Sequence, residues 1–142
     1  MSETPLAKKL GLKPDGRLLL HGAPRGWAVS DLPDGVSVAA AAKLGAGAAG
    51  AADEVAVAFV RARAELPGVL DELGRAIFPD GALWIAWPRR AAGHESDIRD
   101  QDVRDEALPL GLVDVKVAAL GEDWSGLRLV WRLERRKSPA PG

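Results

Sequence analysis

PDGALWIAWPRR (residues 79–90) is the stretch whose reading decides the fold. Pro79-Asp80-Gly81 forms a turn, Ala82 to Trp87 is apolar at every position, and Pro88-Arg89-Arg90 returns the chain to water. A short run that is apolar throughout, rather than at alternate positions, is what a strand covered on both faces requires, and such strands belong to parallel sheets flanked by helices. Upstream, EVAVAFV (54–60) has the same character. Between the two runs Leu66, Leu70, Leu73 and Ile77 recur at steps of four, three and four, which makes one apolar stripe on a helix, with Asp71, Glu72 and Arg75 pointing away. Residues 54–87 are therefore predicted to be a strand, helix, strand crossover joining parallel neighbours.

Downstream, the pattern changes. Asp97, Asp100, Asp102 and Asp105 surround a helix start with Ser96 or Asp100 as its cap, where carboxylates suit the helix dipole. In Val113 to Ala119, valines at 113, 115 and 117 alternate with Asp114 and Lys116; in Leu127 to Leu133, Leu127, Leu129, Trp131 and Leu133 alternate with Arg128, Val130 and Arg132. Alternation implies one wet face, so these two strands are expected to form an antiparallel hairpin at the sheet edge. Cross-strand ion pairs of Asp114 and Lys116 with Arg128 and Arg132 are expected, and the two arginines should guard the open edge of an outer strand. The first half is plainer: a short basic helix from Thr4 to Gly11, a strand Arg17–Leu20, a helix from Trp27 to Leu32, and a strand Val36–Val38, each punctuated by Gly and Pro turns. Residues 39–52 are nearly all Ala and Gly and are expected to be a flexible connection. Residues 1–133 are expected to form a single α/β domain, and 134–142, ERRKSPAPG, a disordered tail.

Composition limits the function classes. With 19 Lys and Arg against 20 Asp and Glu, the net charge of −1 gives no field to draw the protein to nucleic acid or a membrane, so any anion binding has to be local. There is no cysteine, which excludes disulfides and thiolate metal sites. The N-terminal residues lack the apolar core of a signal peptide, and no run is long enough to span a bilayer; a cytoplasmic protein, monomer or dimer, is expected.

The phrases KLGLKPDG, RARAEL, WPRR, GLVDVKV and DWSGLRLV resemble a family of short bacterial proteins classed as domain of unknown function 3052. The order strand, helix, FPDGALWIAWP, helix, GLVDVKVAALGEDWSGLRLV looks like the C-terminal half of a class I methyltransferase. That resemblance implies a single three-layer Rossmann-like (methyltransferase-like) mixed sheet with parallel interior strands and a C-terminal antiparallel hairpin. Methyltransferases of that class hold S-adenosylmethionine with a Gly-rich turn after the first strand and an acid at the end of the second. Here HGAPRGW follows Leu20, with Pro24 and Arg25 in the turn, and four alanines and Lys43 follow Val38, with no carboxylate. The span from Leu20 to Glu54 is also too short for the usual extra strand and two crossover helices. The resemblance thus implies a reduced sheet whose methyl-donor site is lost or replaced.

Other motifs carry less. Gly45-Ala-Gly47-Ala-Ala-Gly50 spells a dinucleotide-binding pattern, but a strand rather than a helix follows it, and such a match arises readily in an Ala/Gly tract. His21 and His94 have no partners at ligand spacing, so no metal site is assigned. No serine sits in a nucleophile elbow, and no catalytic residue is assigned. Trp84, Trp87 and Trp131 are expected in the core, while Trp124 and Trp27 on loops are either anchors or exposed contacts. What remains is geometric: in an open parallel sheet the loops leaving the C-terminal strand ends share one edge, where ligands bind. His21, Arg25 and Trp27 follow the first strand, Arg61 and Arg63 the third, and Arg89 and Arg90 the fourth, so they are expected to converge as a local basic site. The expected function is a non-catalytic binding or regulatory module without a resident cofactor, whose partner is an anionic or nucleotide-like small molecule or a protein. A degenerate S-adenosylmethionine-dependent methyltransferase-like enzyme and a structural, oligomerising subunit are the alternatives.

Overall fold

A computed structural model describes residues 10, 12, 14, 17–23, 34–41, 55–77, 81–89, 97–120 and 124–132. Within them the chain runs β1 (Arg17–His21), β2 (Ser37–Ala41), β3 (Val55–Phe59), a 3-10 turn (Arg63–Glu65), α1 (Leu66–Ile77), β4 (Ala82–Pro88), α2 (Asp100–Ala107), a second 3-10 turn (Leu108–Leu110), β5 (Leu112–Ala119) and β6 (Trp124–Trp131). Among the described residues six strands form one sheet in the order β2-β1-β3-β4-β6-β5. Strands β1 to β4 are parallel, β6 runs antiparallel to β4, and β5 antiparallel to β6.

The continuously apolar runs occupy the middle of the sheet because each must be covered on both faces. All five residues of β3 are buried, as are Ala82 to Trp87 of β4. On one face α1 lays down its stripe of Leu66, Leu70, Leu73 and Ile77, all buried against Ala56, Ala58, Leu83, Ile85, Leu127 and Leu129, with Val103 and Ala107 of α2 completing the layer. Fully burying a Leu or Ile side chain contributes about 1.5–3 kcal/mol, so this stripe is a major source of stability. Leu18, Val57, Phe59 and Trp84 face the other way and are joined by Leu10, Leu12 and Leu120. The core tryptophans satisfy their ring N–H groups on carbonyls: Trp84 Nε1 donates to Leu10 O at 3.2 Å, and Trp131 Nε1 to Gly74 O of α1 at 2.9 Å. No helix among the described residues is long and apolar enough to cross a membrane.

Four sequence expectations need correction. Ala39 to Ala41 are not part of a loose connection; they are the end of β2, in parallel register with Leu19, Leu20 and His21. Pairing along an already formed strand supplies the order that local propensity lacks; residues 42–52 lie outside the described set, as do the tail 134–142, most of the first helix and all of the segment 24–33. The outer strand of the hairpin is β5, not the strand carrying Arg128 and Arg132, because β6 inserts between β4 and β5. The proposed cross-strand ion pairs do not form in that register: Lys116 lies opposite Arg128, and Asp114 opposite Leu129. Asp114 instead accepts from Arg104 Nε of α2 at 2.8 Å, while Arg104 Nη1 reaches Asp100 Oδ2 at 2.7 Å. That hydrogen bond from Arg104 holds the Asp114 carboxyl below its ordinary 3.8 and raises the guanidinium in turn. Finally, Arg99 rather than Asp100 precedes the first turn of α2, and Asp102 Oδ2 accepts the Arg99 N–H at 2.9 Å. Ser96, the other expected cap, is outside the described residues.

The cause of the hairpin's departure is a bulge between Asp114 and Lys116, where Val115 is the extra residue. A bulge shifts the phase of a period-two pattern. Before it, Leu112 and Asp114 share the helix-covered face; after it, Val117 does, opposite Leu127. The valines at 113, 115 and 117 therefore do not form one buried row, and Val115 and Val117 are 52% and 55% exposed.

Candidate ligand edge at the switch point

The chain leaves β1 toward β2 on one side and returns to β3 on the other, so the crevice between the C-terminal ends of β1 and β3 is the topological switch point, where open α/β sheets place ligands. Gly22 makes the exit from β1. Its φ is +69°, and a Cβ there would lie 2.9 Å from the Phe59 carbonyl oxygen, so a side chain is excluded both by conformation and by the backbone of β3.

On the β3 side the chain turns at Arg61. The Arg61 and Ala62 N–H groups both donate to Glu65 Oε1, at 3.1 and 3.0 Å, which closes the 3-10 turn ahead of α1 and frees the Arg61 side chain to lean back over the sheet end. Its Nη2 donates to Gly22 O at 3.0 Å, crossing from the end of β3 to the end of β1. The guanidinium carbon lies 5.3 Å from the centre of the Trp124 ring, within cation–π range. Trp124 in turn meets Phe59 edge to face, centroids 4.9 Å apart at 86°. The result is a column of contacts, Phe59, Trp124, Arg61, standing on the last residue of β3, with Trp124 placed opposite Pro88 of β4. A guanidinium has five N–H donors in a planar fork; with one committed to Gly22 O, the others are directed by the ring that orients the plane.

The predicted site residues separate. His21, half-buried at the end of β1, Arg61 after β3, and Arg89, half-buried directly after β4, lie at the same edge of the sheet. Arg63 is directed elsewhere: its N–H donates to Asp97 Oδ1 at 3.0 Å and its Nη2 lies 3.6 Å from Asp102 Oδ1, so it ties the start of α1 to that of α2. Arg25, Trp27 and Arg90 are outside the described residues. Two contributors were not on the list of candidates, Gly22 and Trp124. A glycine immediately after an apolar strand was the visible signal for the first; the second was expected on a loop but is the first residue of β6, paired with Pro88, and its contact with Arg61 joins residues far apart in the chain. No carboxylate follows β2, whose last residue, Ala41, precedes Ala42 and Lys43. Among the described residues no three His, Asp or Glu side chains converge as metal ligands would.

Residues 30–133 match the family described as Protein of unknown function (DUF3052), more than half of the chain, and the chain belongs to that family. No curated protein matches. Among solved structures the fold is similar to a SAM dependent methyltransferase from Aquifex aeolicus, with a TM-score of 0.60 at 14% identity over 87% of this chain and 86% of that one. It is also similar to a chain of a fibrillarin/Nop5p complex, TM-score 0.56 at 15% identity, covering 90% and 83%. A chain described as a possible exported protein from Bordetella parapertussis matches with a TM-score of 0.53 at 13% identity, covering 87% and 65%. The fold is thus the Rossmann-like, methyltransferase-like α/β fold.

Proposed function

We propose that this member of the DUF3052 family is a non-catalytic binding module that takes an anionic, nucleotide-like small molecule at the switch-point crevice, and that it no longer uses the methyl donor of the enzymes whose fold it shares. The observation carrying this is the Arg61 guanidinium, bridged to Gly22 O and lying over the Trp124 ring at the C-terminal strand ends. A cation held there attracts phosphate or carboxylate oxygens and opposes the positively charged sulfonium of S-adenosylmethionine. The absence of a carboxylate after β2 removes the usual acceptor for ribose hydroxyls, which points the same way. Arg89 and His21 on the neighbouring strand ends are the further candidates for contact.

Isothermal titration separates the possibilities. Adenine nucleotides are expected to bind, and Arg61→Ala to weaken them about tenfold or more, equivalent to roughly 1.4 kcal/mol, while S-adenosylmethionine binds no tighter than about millimolar, near −4 kcal/mol. A micromolar constant for S-adenosylmethionine would favour the degenerate methyltransferase, whose support is the fold likeness. The structural-subunit alternative draws on the exposed Val115 and Val117 of the outer strand; light scattering that finds a stable dimer broken by Val115→Lys would favour it.

A further inference from the structure

We propose that the face of the β5–β6 hairpin turned away from α1 and α2 carries a second anion site, built by Lys116 and Arg128 and suited to a dianionic phosphate group. In the antiparallel register Lys116 lies directly opposite Arg128, and residues so placed project from the same face with Cβ atoms roughly 4.5–5.5 Å apart. Two cations side by side destabilise a hairpin, and a sequence has many ways to avoid the arrangement. Here the nearest carboxylate on the hairpin strands, Asp114, is on the other face and committed to Arg104. The described strand residues around the pair on its own face are Val113, Ala118, Gly126, Val130 and the fully buried Trp84, which stands opposite Arg128 on β4; none can accept through its side chain.

The second observation is the state of Arg128 itself. Its Nε is buried and, among the described residues, has no hydrogen-bond partner. An arginine N–H removed from water without an acceptor is a standing cost; an oxygen acceptor cancels it, and one that also carries negative charge does so most strongly. Nε and one Nη form the side of the guanidinium fork that grips two oxygens of one group, and the exposed Lys116 supplies a second positive charge beside it. Two positive charges over an apolar floor fit a phosphate monoester or inorganic phosphate better than a monoanionic carboxylate. The site lies on the sheet face at β6, separate from Arg61 and the switch point, and does not depend on the nucleotide site.

Phosphate titration followed by NMR, at constant ionic strength, tests it through the Arg128 Nε–Hε signal and the backbone amides of residues 116 and 128. These signals are expected to move together and saturate in the millimolar range or below, to be unchanged in an Arg61→Ala protein, and to respond at least tenfold more weakly to acetate. Lys116→Gln should weaken the response about fivefold or more. Lys116→Glu should abolish it and raise the thermal midpoint measured without phosphate, because the new carboxylate takes the place of the ligand. The proposal is overturned if phosphate leaves the Arg128 signal unmoved, if Arg61→Ala removes the response, if acetate binds equally well, or if Lys116→Glu still binds phosphate or is less stable than the parent.

Discussion

The parallel half of the sheet and its antiparallel hairpin share one continuous ladder of strands, yet they obey different rules. In β3 and β4 every position from Val55 to Phe59 and from Ala82 to Trp87 is buried, so the side chains have no polar alternatives and the register is enforced from both faces. In β5 most of the strand is half-buried or exposed, a bulge interrupts the alternation, and an arginine and a lysine face each other without an acid between them. The interior is specified by exclusion of water; the edge retains freedom, and with it the charged and exposed groups from which binding sites are made. The bulge also twists the outer strand, which protects an edge carrying two exposed valines from pairing with other chains.

That contrast can be broken by substitution. The largest effect is expected for Trp84→Ala in β4, which empties a fully buried site and leaves Leu10 O without its indole donor; urea unfolding should show a loss of about 3–5 kcal/mol. If the loss were below about 1 kcal/mol, the interior would be no more specified than the edge. Gly22→Ala comes next, because an L-residue at φ +69° costs roughly 1–2 kcal/mol before the contact with Phe59 O is counted. It should also disturb the Arg61 bridge, so nucleotide binding and stability should fall together in that variant, whereas Arg61→Ala loses binding first.

Asp114 gives a smaller and pH-dependent effect. Its carboxyl is lowered in the folded protein by the Arg104 hydrogen bond, so the unfolded state takes up a proton first as acid is added. The stabilisation is complete above the ordinary value of 3.8 and is lost as pH falls below it through the lowered folded value. Asp114→Asn should therefore reduce the slope of the acid unfolding limb below about pH 4 and leave the dependence near neutrality unchanged; identical acid limbs would mean that the pair contributes nothing. The smallest change is expected for Val117→Thr, at a position 55% exposed, within about 0.5 kcal/mol of neutral by the same unfolding measurement. A larger loss would show that the edge valines are covered in solution.

Much of the architecture was legible because it rests on local periodicity. The four-three-four spacing of Leu66, Leu70, Leu73 and Ile77 makes one buried face on a helix, and an unbroken apolar run as short as ALWIAWP, bounded by Gly and Pro, fits an interior strand. The candidate edge was legible in outline, since residues following parallel strands must lie at one end of the sheet. The paths of their side chains were not: Arg61 and Arg63 are two residues apart, yet one crosses to Gly22 O and the other turns to Asp97 and Asp102.

By itself, then, the sequence determined that residues 66–77 are a helix, that β3 and β4 are strands covered on both faces, and that no acid follows β2, because each depends on residues near one another in the chain. Only the tertiary structure decided that β6 lies inside β5, that a bulge splits the valine row between the two faces, that Asp114 serves Arg104 rather than the hairpin arginines, and that Ala39 to Ala41 extend a strand. Either arm of a hairpin can pair with β4 and still keep its own alternation, and an alanine takes the conformation its neighbour imposes. In each case the deciding partner is distant in sequence, and the free energy that selects it appears only when the sheet is assembled.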